Sequence, residues 1–372
     1  DLHFTLHSFP TRRSSDLTVL VAMFCAGLLS GCATKKSSED DSTSGSSAKA
    51  VESAESEPAG ESSAEKTIRS EKTVGELETV ATFDGPIPTG VTVSKEGRIF
   101  VNFPRWGDAA EFTVAEVVDG EVVAYPNAEM NEADTSAPTE HFISVQSVVV
   151  GPKNRLWVLD TGSPRFEATI ENAAKLVAVD LQTDEVVERI VFGPDVVREA
   201  SYTNDVRFDM TRGEEGMAFI TDSSGAGENG IIVVDIASGE SWRRLDKHPT
   251  TQAEDDFVPM VEGEPLMFRP KDGEPAHMTV GSDGIAIRAG GKRLFYRPLS
   301  GRGLYSVSLD ALASRDMTAK EVAKTLEDHG DLSFASDGLE ADAAGNLYLT
   351  NYEDNAVVRM APDGSLQTIV HD

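Results

Sequence analysis

Short runs of alternating apolar and polar residues recur from about residue 89 onward, each too brief for a helix. Arg98-Ile-Phe-Val-Asn102, Arg155-Leu-Trp-Val-Leu-Asp160 and Asn346-Leu-Tyr-Leu-Thr350 carry the period of two that predicts half-buried strands. Each run belongs to a longer unit: a polar strand start, a strand, a Gly-containing turn, then a second strand bearing an aromatic residue. The unit is written five times, at 89–103, 146–160, 204–222, 283–297 and 337–351, with Phe100, Trp157, Phe219, Phe295 and Tyr348 as its aromatic. Outer-strand pairs follow, as in Lys175-Leu-Val-Ala-Val-Asp180 with Glu185-Val-Val-Glu-Arg-Ile-Val191, and Gly230-Ile-Ile-Val-Val-Asp235 with Glu240-Ser-Trp-Arg-Arg244. Four-stranded units recurring every 50 to 75 residues or so predict the blades of a β-propeller rather than βαβ units. One helix interrupts them: Thr318 and Glu321 form a capping box, with Ala319, Val322, Ala323 and Leu326 on one face.

The N-terminal part has a different texture. Residues 18–29 form an apolar run of signal-peptide length, closed by Leu29-Ser30-Gly31-Cys32. That ending resembles a bacterial lipobox, which implies cleavage before Cys32, lipidation of its thiol and an extracytoplasmic, membrane-anchored protein. Residues 1–17 resemble non-native, adapter-derived sequence, and 33–75, rich in Ser, Glu and Ala, have too little apolar content to fold and predict a disordered tether. The expected organisation is therefore a leader over 18–32, a tether over 33–75 and an incomplete propeller over 76–372.

Composition narrows the function classes. The 372 residues carry 63 acidic and 33 basic side chains, a formal net charge of −30. Such a surface disfavours nucleic acid and anionic lipid as partners, and either serves solubility or concentrates cations at a cleft. Of the two cysteines, Cys25 lies within the expected leader, so no disulfide is expected in the mature chain.

In a propeller the inner strands of successive blades converge at one mouth of a central channel. The polar strand starts here are Thr89, Gln146, Asn204, Asp283 and Asp337. Amide and carboxylate oxygens gathered in this way suit an amine ligand or a hard cation such as Ca²⁺. Taken singly, each equally suits a turn or strand cap, and Asp283-Gly284 and Asp337-Gly338 read as ordinary turn dipeptides. Asp205, Arg207 and Asp209 read as turn and surface residues. Of seven histidines, His141, His248, His277 and His329 show no metal-ligand spacing. His248 reads as structural and His277 as able to overhang the mouth. The acidic, Pro-containing stretch 246–277 predicts an ordered loop across one propeller face, anchored by Phe257, Met267 and Phe268.

The segments Gly90-Val-Thr-Val-Ser94, Phe103-Pro-Arg-Trp106, Val145-Gln-Ser-Val148, Leu156-Trp-Val-Leu-Asp-Thr-Gly162, Tyr202-Thr-Asn-Asp-Val-Arg207, Ala218-Phe-Ile-Thr-Asp-Ser223, Asp283-Gly-Ile-Ala-Ile287 and Leu294-Phe-Tyr-Arg-Pro-Leu-Ser300 resemble the Yellow and major royal jelly protein family, bacterial members of which are named dopachrome-tautomerase-related. The resemblance implies an all-β, six-bladed propeller. Five repeats are legible, so the sixth blade is expected to be truncated, with Leu77-Glu-Thr-Val-Ala-Thr-Phe83 as the strand that would join the last blade. Relatives divide between dopachrome conversion, binding of biogenic amines, and nutritional or signalling roles, so the family does not fix an activity. Asn204 and Asp337-Gly338-Leu339 with Asp342 also resemble the metal-binding strand starts of the regucalcin and gluconolactonase propellers. Asn204 and Asp337 are therefore the ligands if a metal is held, although Thr89 stands where those lactonases have Glu. The expectation is a propeller binding a small cationic or aromatic ligand at the channel mouth, with an isomerase, a metal-dependent lactonase or an interaction scaffold as alternatives.

Overall fold

The computed structural model describes residues 17–19, 73–83, 85–107, 110–269 and 273–371. Cys32, the apolar run from residue 20 and the tether as far as residue 72 lie outside the described residues.

Five four-stranded antiparallel sheets follow one another along the chain, each a simple meander from inner to outer strand. Blade 1 comprises Gly90–Val93, Ile99–Asn102, Val114–Val118 and Glu121–Ala124. Blade 2 comprises Val145–Gly151, Arg155–Asp160, Lys175–Asp180 and Glu185–Val191. Blade 3 comprises Thr203–Asp209, Met217–Asp222, Gly230–Asp235 and Ser241–Arg244. Blade 4 comprises Ser282–Ile287, Arg293–Pro298, Gly303–Ser308 and Glu327–Asp331. Blade 5 comprises Ser336–Ala341, Leu347–Asn351, Ala356–Met360 and Leu366–His371. The five inner strands touch in sequence order, blade 1 against 2 through to blade 4 against 5, the arrangement of a five-bladed propeller.

The period-two pattern explains the core. The second strands bury all five repeat aromatics, Phe100, Trp157, Phe219, Phe295 and Tyr348. Side chains on alternate faces fill the gaps between neighbouring blades, because a twisted sheet buries apolar area only against the next sheet round. Trp157, Leu159, Leu176, Val206, Ile220 and Ile232 join blades 2 and 3, whereas Phe219, Val233, Ile285, Leu294 and Val307 join blades 3 and 4. The helix Ala319–Ala323 sits inside blade 4 between its third and fourth strands. Its capping box is present as expected, and Val322 packs into the seam between blades 3 and 4.

The segment before blade 1 departs from expectation. Only Ala81–Phe83 is strand, and it pairs antiparallel with Leu17–Val19 rather than with the last blade. Its Ala81 and Phe83 pack on blade 1 beside Val91, Val101 and Phe103. The part that reaches blade 5 lies earlier, where Val74 and Gly75 donate backbone N–H to the carbonyl of Ile369 and Leu77 packs on Tyr348, Val357 and Ile369.

Four inner strands share an irregularity that builds the site. Pairing with the second strand slips between Val145 and Ser147, Thr203 and Val206, Ser282 and Ile285, and Ser336 and Leu339. The residues passed over include Gln146, Asn204, Asp283 and Asp337. A bulge frees a residue from the ladder and re-aims its side chain, so each of these four blades turns a polar group toward the channel. In blade 1 the pairing is regular, and Thr89 stands just ahead of the strand with its N–H on the Asn102 carbonyl.

Candidate functional site

The five predicted strand starts are bonded to one another, and Gln146, Asn204, Asp283 and Asp337 line one cavity at the mouth; Thr89, expected among them, is fully buried and does not line it. Thr89 Oγ1 donates to the Gln146 carbonyl at 3.1 Å and accepts from Asn102 Nδ2 at 2.8 Å. Gln146 Nε2 donates to Asn204 Oδ1 at 3.0 Å, and Asn204 Nδ2 donates to Asp283 Oδ1 at 2.9 Å. Asp283 in turn shares a hydrogen bond with Asp337. Every member is buried. The turn reading of Asp283-Gly284 and Asp337-Gly338 is thereby corrected: both dipeptides lie inside strands. Gly284 is required by a close approach, since a Cβ there would lie 2.2 Å from the Asp337 carbonyl oxygen.

The chain of bonds has a direction. Trp106 Nε1, a donor only, bonds Tyr202 Oη at 2.6 Å. The Tyr202 hydroxyl must then give its own proton onward, to Gln146 Oε1 at 2.8 Å. That orients the Gln146 amide, which orients Asn204, whose N–H points at Asp283. Ser223 Oγ lies 3.0 Å from the other oxygen, Asp283 Oδ2, and 2.9 Å from the Ser282 carbonyl, and its single proton serves one or the other. Asp283 thus accepts from Asn204 and from Asp337, as the more acidic member of the carboxyl pair would, which puts the last proton of the pair on Asp337. Electrostatics agrees. Burial drives Asp283 up to about 7 despite the bonds from Asp337, Ser223 and Asn204 that oppose it. Asp337 is pushed further above the carboxylate range by burial and then by the neighbouring Asp283 charge.

Above this floor opens a cavity of about 1220 Å³. Trp106 and Phe166 stack with ring centroids 5.1 Å apart, and Phe166 and Tyr202 lie 5.1 Å apart, giving one aromatic wall. Phe166 holds a left-handed backbone (φ 57°), which costs energy for a bulky residue and keeps its half-exposed ring over the cavity. The stretch 246–277 contributes many further lining residues through two small hairpins, Met260–Val261 with Glu264–Pro265 and Met267–Phe268 with Ala276–His277. Phe257 anchors it as expected, buried under the Arg302 guanidinium. Phe268 does not: it is 55% exposed and lines the cavity. Glu167, Glu199, Glu262 and Glu264 stand among the lining residues, with Arg269 and His277.

Other predicted residues fall elsewhere. Asp205 and Arg207 are not surface residues: they form an ion pair at 2.8 Å, both buried, below the mouth. Their strand is covered on both faces, so polarity there does not mean exposure. Asp209 does serve a turn, accepting from Thr211, though it is buried beside Arg212. Asp342 lies at the far end of its strand, capping a turn through Asn346. His248 caps the short 3₁₀ turn Pro249–Thr251 and bonds Thr250, a structural role. His141 and His329 bond Glu129 and Ser306, and only His277 of the four lines the cavity. Trp106, Phe166, Tyr202 and Ser223 were missed as site residues; Tyr202, immediately before a bulged strand start, carried the one local signal.

The amide oxygens at the mouth are used in the hydrogen-bonded run. Gln146 Oε1 and Asn204 Oδ1 each accept a bond within the chain, and the Asp283 and Asp337 carboxyls are bonded to each other. Among the described residues, no three His, Cys, Asp or Glu side chains gather as a metal site. The donor set does not fit a divalent cation as arranged.

No curated protein sequence matches the chain. Solved structures similar to it include hydrazine synthase from Kuenenia stuttgartiensis, at 14% identity over 75% of this chain and 72% of that one, with a TM-score of 0.45. A gluconolactonase from Xanthomonas campestris aligns at 10% identity over 77% and 75%, TM-score 0.44. Regucalcin from Agrobacterium tumefaciens aligns at 14% over 76% and 73%, TM-score 0.43. The family model described as major royal jelly protein matches residues 143–371, which takes in the mouth residues from Gln146 to Asp337, and the chain belongs to that family.

Proposed function

We propose that the protein binds a small aromatic amine, with the ammonium on the Asp283–Asp337 pair and the ring against Trp106, Phe166 and Tyr202. One observation carries this reading: an oriented run of hydrogen bonds ends on a buried carboxyl pair at the floor of an aromatic-walled cavity. A cation is the natural complement of a desolvated carboxylate, and aromatic faces add cation–π and stacking contacts. The acidic rim and the net charge of −30 favour a positively charged ligand over an anion. Titration calorimetry with aromatic monoamines and their neutral isosteres tests the reading. Amines should bind and isosteres should not; silence across the amine panel would sink it.

A second reading rests on the shared proton. A carboxyl pair that exchanges one proton near neutrality suits a proton-transfer isomerase acting on a quinone-like substrate. Turnover of dopachrome that disappears in Asp337→Asn would establish that reading. The lactonase alternative draws less support, because the mouth offers neutral Thr89 and Gln146 beside a pair that already holds a proton.

We also place the protein at the outer face of a bacterial membrane, tethered through Cys32. The support is the sequence Leu29-Ser30-Gly31-Cys32 after an apolar run and before a polar tether. Metabolic labelling with a fatty acid should mark the chain and leave Cys32→Ala unmarked.

A further inference from the structure

Beneath the mouth lies a second layer of charge that amine binding alone does not explain. Asp205 is wholly buried, and its Oδ1 accepts from Ser147 Oγ of blade 2 at 3.0 Å and from Arg207 Nη1 at 2.8 Å. Its backbone N–H bonds Thr221 Oγ1, which donates to the Asp283 carbonyl at 2.7 Å. Arg207 crosses the channel from blade 3 to blade 5, donating to the Leu339 carbonyl, two residues beyond Asp337, and facing Glu340 at 3.4 Å. Asp205 is thus fixed to the strands of both mouth carboxyls, and four carboxyls, the buried Asp283, Asp337 and Asp205 and the partly exposed Glu340, stand on the inner strands with the one guanidinium of Arg207. Such an excess of buried acid is not tolerated fully ionised.

We propose that Asp205, clamped by Arg207 and Ser147, is a positioning residue that obliges the Asp283–Asp337 pair to hold one shared proton, so that capture of an amine cation expels that proton. The exchange balances: the ammonium enters with one positive charge, the Asp337 O–H releases one proton to solvent, and no covalent bond of the ligand changes. Other titratable groups facing the pair are distinguishable from it. Tyr202 and Tyr352 are driven well above the tyrosine range by burial; Glu340 is raised by burial against the opposing Arg207 charge, and the Asp337→Asn variant tells its proton from that of the pair.

The first half of the inference can be read without a ligand, and the second rests on the amine-binding reading. Difference infrared titration of the unliganded protein should show a protonated carboxyl band that persists as Asp283 ionises near neutral pH, vanishes only at higher pH and is missing from Asp337→Asn. Asp205→Asn should move the midpoint down by roughly one unit, and Arg207→Gln should move it up, because one variant removes the field of an anion and the other its counter-charge. A purely structural role would shift both the same way or neither, and either result overturns the assignment. Calorimetry of a binding amine in buffers of different ionisation enthalpy should then give about one proton released per amine below the midpoint and none well above it. Zero release at both pH values refutes the exchange. An amine panel without any binder refutes the function proposed above, while the infrared midpoints still decide the role of Asp205.

Discussion

At the scale of single residues, the mouth works because one donor-only group and one acceptor-only group stand at opposite ends of a bonded run. Trp106 can only give and Asp283, once ionised, can only take, so every amide between them has one orientation. Removing a middle member leaves its neighbours buried and unpaired, which costs about 1–3 kcal/mol per group. Asn204→Ala should therefore weaken amine binding by roughly tenfold or more, and Trp106→Phe, which keeps the ring but frees Tyr202, should weaken it less; calorimetry on the two variants checks the order. The raised carboxyl also gives stability an unusual pH dependence. Asp283 titrates at about 7 in the folded protein and near 4 when unfolded, so between these values the native state holds more protons. Its contribution is complete below about pH 4 and is lost as pH rises through about 7. The melting temperature of the unliganded protein should fall between pH 5 and 8, and Asp283→Asn should flatten that slope.

At the scale of elements, the bulges at four inner-strand starts decide which side chains reach the channel, and close packing of blades 4 and 5 brings the two carboxyls together. Gly284 permits that approach. Gly284→Ala should force the strands apart, costing about 1–3 kcal/mol as overpacking does and abolishing the pH-dependent slope. Thr318→Ala, which removes the capping box on the helix in blade 4, should cost about 1 kcal/mol and leave amine binding unchanged. Urea unfolding alongside calorimetry separates the two. How far the sequence made this legible follows from the same geometry. Repetition exposed the blades and their polar starts, since period-two strands and Gly turns are local signals. Trp106, Phe166 and Tyr202 were missed as a wall because they come from separate connections between strands and meet only once the blades are stacked. Asp205 and Arg207 read as surface because charge within a strand normally marks its solvent face, whereas an inner propeller strand has a channel on that side.

At the scale of the whole molecule, the net charge of −30 admits two roles, solubility or steering, and kinetics can separate them. The binding pair is buried under an apolar and aromatic cavity, so its contact with a ligand is poorly screened by salt. The field that extends from the acidic rim into solvent is screened over about 10 Å at 0.1 M salt. If the surface steers, raising salt from about 0.02 to 0.5 M should slow association of a monocationic amine severalfold while leaving its dissociation nearly constant. A neutral isostere that binds weakly should show neither change. Stopped-flow fluorescence is suited to the measurement, because Trp106 stands in the cavity wall and reports occupancy directly. Association rates independent of salt would assign the surface charge to solubility alone and leave recognition entirely to the buried pair.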